Sequence, residues 1–235
     1  MKKIAVSIAS AMVLTSSMGF AEGTVVKLAA ILEAGSFFGG LMGGYEHVAV
    51  DTRLYNALNN AETLDDTGQN NLFIGLKVGY MFDFNHRIDI AAETTNHSDG
   101  LLSIPVSLNY TYVSDKTLEN FYPFTDAGFA KKLKEHGIAI QNFHPFAGAG
   151  IGLVRWSDTI VCNNASKKLD LDGSMWQVRA GLLYELDQKA EVEVYYRYSR
   201  ASFDTKHCNE NGNNISLDID NINRNGIFTG INYKF

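Results

Sequence analysis

The sequence contains little proline and cysteine and few charged residues, and its composition excludes several classes of protein. Only 3 of the 235 residues are proline, 2 are cysteine and 20% are charged, whereas glycine (21 residues) and aromatic side chains (11%) are frequent. Two cysteines are too few for a disulfide scaffold or a four-ligand zinc site. The net charge of −6 argues against a surface that binds nucleic acid. Abundant glycine and aromatic residues with little proline favour a β-protein over a helical bundle.

The first 21 residues match the pattern of a secretory signal peptide. Lys2 and Lys3 precede an apolar stretch at 4–14, and Ala21 provides a small residue at the predicted cleavage point. The apolar stretch is shorter than the roughly 20 residues that a spanning helix needs, and no second long apolar run follows it. We therefore predict an exported protein from which residues 1–21 are removed.

After residue 35, apolar and polar side chains alternate with a period of two, which indicates β-strands. In the clearest segment Leu76 and Val78 share one face, and Lys77 lies on the other. The alternating segments are 72–82, 87–95, 102–112, 176–186, 190–199 and 227–235. Two glycine-rich segments, 36–50 and 143–156, complete a set of eight predicted strands. Short polar stretches at 83–86 and 187–189 predict tight turns.

The two faces of these strands differ in a way that indicates a membrane protein. The apolar face ends in aromatic residues, as at Tyr80, Tyr110, Tyr198 and Tyr233, which is typical of the aromatic girdles of membrane barrels. Without a helical span, an exported chain crosses lipid only as a closed barrel, because open sheet edges leave backbone groups unpaired. The sequence therefore predicts an all-β fold, an eight-stranded antiparallel transmembrane β-barrel with up-and-down meander topology, at residues 35–235.

The polar face of the predicted strands carries charges of both signs, and we predict that it lines the lumen. The ten predicted lumenal charges are Lys77, Arg87, Asp89, Glu93, Arg179, Glu185, Glu191, Glu193, Arg197 and Lys234. They form either a salt-bridged interior that fills the barrel or a narrow charge-lined pore. Pairs on neighbouring strands, such as Lys77 with Glu93 or Asp89, favour the filled interior, because an unpaired buried charge is expensive.

Three segments resemble the eight-stranded outer-membrane barrels, a family that includes the OmpA-type transmembrane domain and the opacity-type porin-like surface proteins. They are 75–82, 145–152 and the terminal 233–235. The resemblance implies a location in the outer membrane of a Gram-negative bacterium, among outer-membrane lipids and lipopolysaccharide. It also implies that the C-terminal Phe235 belongs to the signal read by the barrel-assembly machinery.

The chain departs from the family pattern in its periplasmic segments. The turn between the fourth and fifth strands should be short, yet 114–142 lies there. Within it, 125–137 could form a short helix with Phe129 and Leu133 on one side. The turn is either an extra-long turn packed on the barrel rim or a periplasmic contact surface. A further periplasmic segment, 22–34, could be a short amphipathic helix or an additional piece of strand.

The predicted outer loops contain the residues that could carry chemistry. Cys162 and Cys208 fall in the third and fourth loops, and an oxidising compartment predicts a disulfide between them. His97 and Ser98 loosely resemble a lipid A deacylase pair, but adjacent residues of a strand point to opposite faces, so we predict no catalytic residues. The stretch 169–173 has part of a calcium-loop pattern without its bidentate glutamate. We predict no metal site and no cofactor.

The predicted function follows from the architecture and is not enzymatic. A rigid barrel that anchors four outer loops suits a structural and surface-interaction role, in which the loops contact an extracellular ligand or a host surface. The alternative is a narrow porin-like channel for small solutes. A lipid A-modifying enzyme that uses His97 and Ser98 is a third possibility.

Overall fold

A computed structural model describes most of the chain after residue 34. The described residues are 35–56, 59–64, 69–96, 102–120, 131–132, 135–162, 165–203, 206–210 and 213–235, and the outer ends of the longest strands are described by their backbone alone. The predicted signal peptide at 1–21 and the segment 22–34 lie outside these residues. Among the described residues, no helix is long and apolar enough to span a bilayer.

Ten antiparallel strands make up the described fold, and eight of them close into a barrel. In chain order they are β1 (Ser36–Asn56), β2 (Asn59–Leu64), β3 (Gln69–Met81), β4 (His86–Asn96), β5 (Leu102–Val113), β6 (Phe143–Cys162), β7 (Ala165–Glu185), β8 (Ala190–Phe203), β9 (Lys206–Glu210) and β10 (Asn213–Lys234). The barrel order is β1-β3-β4-β5-β6-β7-β8-β10, and β10 pairs with β1 to close it. The predicted eight-stranded antiparallel meander is confirmed.

Several strands extend well beyond their predicted ends. The ladder between β1 and β10 runs from Phe38 and Lys234 at one end to Asn56 and Ile215 at the other. The short strands β2 and β9 pair with these extensions. The hairpin of β6 and β7 likewise continues to its last pair, Cys162 with Ala165. The predicted outer loops were therefore too long. The prediction ended each strand where its apolar alternation ended, but backbone hydrogen bonds between two paired strands continue without apolar side chains.

The outer wall of the barrel is an apolar belt. Large apolar side chains point outward with exposed fractions of 37% to 77%, among them Leu76, Ile151 and Ile227. Outward aromatic residues occur at two levels, with Tyr112 and Tyr233 at one end of their strands and Tyr45, Trp176 and Tyr196 about halfway along theirs. Such a belt between two aromatic girdles matches the hydrocarbon core of a bilayer and its two interfaces.

Tyr80 lies on the predicted outer face, opposite the outward-facing Phe37 and Ile88, but it is covered rather than exposed. Tyr80 is only 6% exposed. Its ring lies between those of Phe37 and Phe82, with centroid distances of 5.0 and 5.2 Å in edge-to-face geometry. The chain ends and turns at this end of the barrel therefore cover a side chain that the alternation alone assigned to the surface.

Two tight turns and one long segment connect strands at one end of the barrel, here called the turn end. The start of β1 and the end of β10 lie at the same end. The backbone N–H groups of Asn85 and His86 donate to the Asp83 carboxylate at 2.8 and 2.6 Å. The long segment 114–142 includes short 3-10 helices at Leu118–Asn120 and Ile140–Asn142. Residues 131, 132 and 135 are helical, and Gly137, at φ +73°, follows them in the left-handed conformation that ends a helix. The rest of the predicted helix lies outside the described residues.

Candidate functional site

The barrel interior is the candidate functional site, because the strands bring charged side chains from all sides into it. The end opposite the turns is here called the hairpin end, after the long hairpins that extend from it. The interior contains three layers of ion pairs, one near each end and one between them, together with an apolar cluster. Glycine makes room for these side chains. A Cβ added at Gly150 would lie 2.0 Å from Oδ1 of Asn109, so only glycine fits there.

The hairpin-end layer centres on Glu46, which is fully buried. Arg224 donates to both oxygens of the Glu46 carboxylate, through Nε at 3.1 Å and Nη2 at 2.7 Å. The Thr95 hydroxyl donates to Oε1 of Glu46 at 2.9 Å. Arg197 pairs with Glu93 and lies 3.5 Å from Oε2 of Glu46. Two arginines and two glutamates thus neutralise each other in this layer.

The middle layer pairs Lys77 with Glu193 and Arg179 with Asp89. The Lys77 Nζ lies 2.5 Å from Oε1 of Glu193, and both side chains are almost fully buried. Arg179 pairs with Asp89 and donates to the Thr111 hydroxyl at 2.5 Å. The neighbouring-strand partners predicted for Lys77 were wrong. The reason is that the narrow barrel brings strands β3 and β8 within reach of each other across the lumen.

The turn-end layer pairs Arg87 with Glu191 across the barrel. Lys234 lies 3.1 Å from the Glu191 carboxylate and 3.4 Å from that of Glu185. His144 is close to Glu185, with 3.8 Å between Nε2 and Oε2, and its Nδ1 donates to a backbone carbonyl at 3.1 Å. Lys234 and Glu185 are partly exposed at the mouth of the lumen, whereas Arg87 and Glu191 are buried.

An apolar cluster, here called the plug, packs in the lumen among these ion pairs. It consists of Met42, Phe73, Ala91, Val113, Phe146, Leu183, Tyr195 and Phe228. The rings of Tyr195 and Phe228 stack at 5.3 Å, and the Phe73 ring lies 4.6 Å from that of Phe228. A lumenal cavity lined by the middle-layer ion pairs has a volume of only about 10 Å³, about enough for a single water molecule.

The structure places all ten predicted lumenal charges inside the barrel or at its mouth. Eight of them are buried, and Glu185 and Lys234 lie at the mouth. Sequence reasoning missed Glu46 and Arg224, which bring the layers to six acidic and six basic residues. Arg224 lies before the predicted start of the last strand at 227, although the alternation of its neighbours continues that strand. Glu46 lies in the glycine-rich segment, where the contrast between polar and apolar faces is weak.

The other predicted residues are placed as follows. Phe235 is 77% exposed beside the closing seam, where its N–H donates to the Phe37 carbonyl at 2.9 Å. Residues 169–173 are paired within β7 rather than forming a loop. Cys162 and Cys208 belong to β6 and β9, but their side chains lie outside the described part, as do His97 and Ser98. Among the described residues, no three metal-ligating side chains come together.

The carboxylate of Asp187 lies in a turn at the turn end, outside the membrane-spanning strands, and accepts two backbone hydrogen bonds. The backbone N–H groups of Lys189 and Ala190 each donate to Oδ1 of Asp187 at 2.7 Å. These two bonds, that of Lys189 first, lower the pKa of the Asp187 carboxyl below its ordinary value. The bonds close the predicted tight turn between β7 and β8 in the manner of an Asx turn.

Comparisons with known proteins identify the fold. No family model and no curated protein matches the chain. Neisserial surface protein A matches with a TM-score of 0.51 and 12% identity over 86% of this chain and 99% of that one. OprG of Pseudomonas aeruginosa matches with a TM-score of 0.45 and 16% identity, over 85% of this chain and 96% of that one. The outer membrane protease OmpT of Escherichia coli matches with a TM-score of 0.40 and 9% identity, over 85% of this chain and 97% of that one.

The first of these likenesses agrees with the barrel described above. The predicted resemblance to the eight-stranded outer-membrane barrels is confirmed at the level of the fold. The closed sheet, its apolar outer wall and this likeness also agree with the predicted location in the outer membrane of a Gram-negative bacterium. The described chain has the fold of an eight-stranded outer-membrane β-barrel, with ion pairs and an apolar cluster packed in its interior.

Proposed function

We propose that this protein is a sealed outer-membrane barrel that holds long hairpins at the cell surface for contact with an extracellular ligand or a host surface. The observation that carries the proposal is the filled lumen. Six acidic and six basic residues pair within it, the plug packs among them, and the described cavity beside the middle-layer pairs is only about 10 Å³. A path for solutes would require these buried ion pairs to separate, which costs several kcal/mol per ion.

The hairpin end supports a display role. The ladder of β1 and β10 continues to Asn56 and Ile215, and the ladder of β6 and β7 to Cys162 and Ala165. Paired strands hold the connecting residues at a distance from the membrane more rigidly than irregular loops would. Because binding residues are often carried on loops positioned by a rigid scaffold, the hairpin tips are the candidate contact surface.

We assign the turn end to the periplasm. The predicted signal peptide implies export, and short periplasmic turns with longer outer connections are typical of these barrels. Phe235 lies exposed at the seam between the first and last barrel strands, a position that suits recognition by the barrel-assembly machinery before closure.

Conductance of the purified barrel in a planar bilayer tests whether the lumen is sealed. We expect most recordings of the wild-type protein to show no current steps. Reproducible steps that change in size with Lys77→Ala or Arg179→Ala would overturn the sealed barrel and assign solute transport through the lumen.

Epitope tags on intact cells test the display role. A tag inserted between Cys162 and Ala165 should bind antibody without permeabilisation, because it extends the tip of the β6–β7 hairpin. A tag after Glu119, in the turn-end segment, is the matched control and should bind only after the outer membrane is opened. The reverse pattern would contradict the orientation.

We further propose that the role is not catalytic. Support comes from the interior, where the described acidic and basic side chains are committed to ion pairs with one another. Lipid A extracted from cells that overexpress the protein should be unaltered. A changed acylation pattern that disappears with His97→Ala would instead assign a lipid-modifying activity.

A further inference from the structure

A second site lies on the outer wall of the barrel, where β7, β8 and β10 approach the hairpin end. Arg200 of β8 is paired directly with Trp176 of β7 on one side and with Asn223 of β10 on the other. Their side chains point away from the lumen, and Trp176 is 46% exposed. The Trp176 ring packs against that of Tyr198 at 5.6 Å. A cation therefore lies beside an aromatic pair on the outer wall.

The side chains of this wall form hydrogen bonds in which the two asparagine oxygens are the acceptors. Arg200 Nε and Ser202 Oγ both donate to Oδ1 of Asn221, at 2.9 and 3.1 Å. The Tyr198 hydroxyl donates to Oδ1 of Asn223 at 2.9 Å. Both asparagine oxygens thus already accept hydrogen bonds from neighbouring side chains, and the patch also contains several N–H donor groups. They are the two amide nitrogens and the terminal nitrogens of the Arg200 guanidinium.

Arg200 also differs from the other exposed arginine of this region. Arg155 on β6 is already paired with Asp172 on β7, with 2.8 Å between Nε and Oδ1. Among the described side chains, no carboxylate lies within ion-pair distance of Arg200, whose hydrogen bond goes to the neutral Asn221. The Asn221 bond fixes the guanidinium in place while its positive charge stays available.

We propose that Arg200, Asn221 and Asn223 bind the phosphate group of a lipid headgroup in the outer leaflet. A phosphate carries several acceptor oxygens and a negative charge, which match a guanidinium without a carboxylate partner among the described side chains and the amide N–H groups beside it. A lipid fits better than free phosphate because Trp176 and Tyr198 lie on the same wall, and such residues sit at the headgroup level of membranes. The inference rests on the proposed function in that it requires an outer-membrane location.

The test uses the full, folded chain in detergent micelles doped with bisphosphorylated lipid A. The protein has two tryptophans, so a Trp156→Phe background leaves Trp176 as the only reporter, directly beside Arg200. Trp176 emission is followed during the titration. Arg200→Gln removes the charge, and Asn221→Asp places a carboxylate of similar size against the guanidinium. Lys189→Gln, at the opposite end of the barrel, is the control that removes an equal charge.

We expect Arg200→Gln and Asn221→Asp each to weaken lipid A binding on the order of tenfold or more, since hydrogen bonds to charged groups are worth about 1.5–3 kcal/mol. Lys189→Gln should bind as the wild type does. Equal binding by wild type and Arg200→Gln would overturn the site. Competition by inorganic phosphate at equal concentration would also overturn it, because it would indicate a site for free anions.

The same preparations separate this inference from the proposed function. Insertion into vesicles, measured by protection of the barrel from protease, tests the outer-membrane role without reference to Arg200. Normal insertion with unchanged lipid A binding by the variants would refute the site alone. Failed insertion of a folded barrel would refute the proposed function, while the micelle titration still reports on the site.

Discussion

The guanidinium carbon of Arg197 lies 4.0 Å from the centroid of the Phe228 ring inside the barrel. The same guanidinium pairs with Glu93 on β4, the strand opposite β8 in the barrel order. One side chain therefore joins the hairpin-end ion pairs to the apolar plug beneath them. Ion pairs connect opposite walls of the barrel, and aromatic side chains pack beside these pairs.

Removal of the Phe228 ring should destabilise the barrel strongly. Phe228 is 1% exposed and contacts Phe73, Tyr195 and Arg197. Phe228→Ala should lower the free energy of unfolding by about 3–5 kcal/mol, measured by urea titration of the barrel in detergent. The neighbouring Ile227→Ala, on the outer wall and 66% exposed, is the control and should cost much less. Equal losses in the two variants would contradict a packed lumen.

Glu46 should be the most costly single charge to remove from the hairpin-end layer. Glu46→Ala leaves Arg224 without its two bonds to that carboxylate, and we expect a loss of about 3–5 kcal/mol in the free energy of unfolding. The double variant Glu46→Leu with Arg224→Met should recover most of this loss, because no unpaired charge remains.

The exposed pair of Arg155 and Asp172 provides the control for that experiment. Arg155→Gln should change the free energy of unfolding by about 1 kcal/mol or less, because water already screens this pair. A double Glu46 and Arg224 variant as unstable as Glu46→Ala would show that the layer contributes more than charge compensation.

The Asp187 turn should make the stability depend on pH. Its pKa is lowered in the folded protein, so the carboxylate adds stability above the ordinary value of 3.8 and loses it as the pH falls through the lowered folded value. Asp187→Ala should therefore reduce the urea midpoint at neutral pH, and the difference from wild type should shrink in acid. Gln188→Ala in the same turn is the control and should show no such trend.

The disulfide between Cys162 and Cys208 stays a prediction, and the positions of the two strands that contain these residues are compatible with it. Cys162 ends β6, Cys208 lies in β9, and these two strands contact each other. Thiol labelling followed by non-reducing electrophoresis should find no free thiol in protein purified from the envelope. Such a bond would add about 3–4 kcal/mol through loop closure. Labelling of both cysteines in the folded protein would rule it out.

The alternation in the sequence was enough to predict the barrel and the direction of most side chains. Lys77 and Leu76 were assigned to opposite faces correctly, because the period of a strand is two whatever its partners are. Tyr80 and Arg224 show where this reasoning ends. Tyr80 is covered by the rings of Phe37 and Phe82, and Arg224 continues a strand beyond the end of its apolar face.

The sequence by itself determined which side chains face lipid and which face the lumen, since that depends only on local periodicity. Only the tertiary structure decided which lumenal charges meet. Arg87 pairs with Glu191 and Lys77 with Glu193 across the barrel, and those distances depend on strand register and closure. Register is set by the pairing of whole strands, and a closed barrel of eight strands is narrow enough for two long side chains from opposite walls to meet.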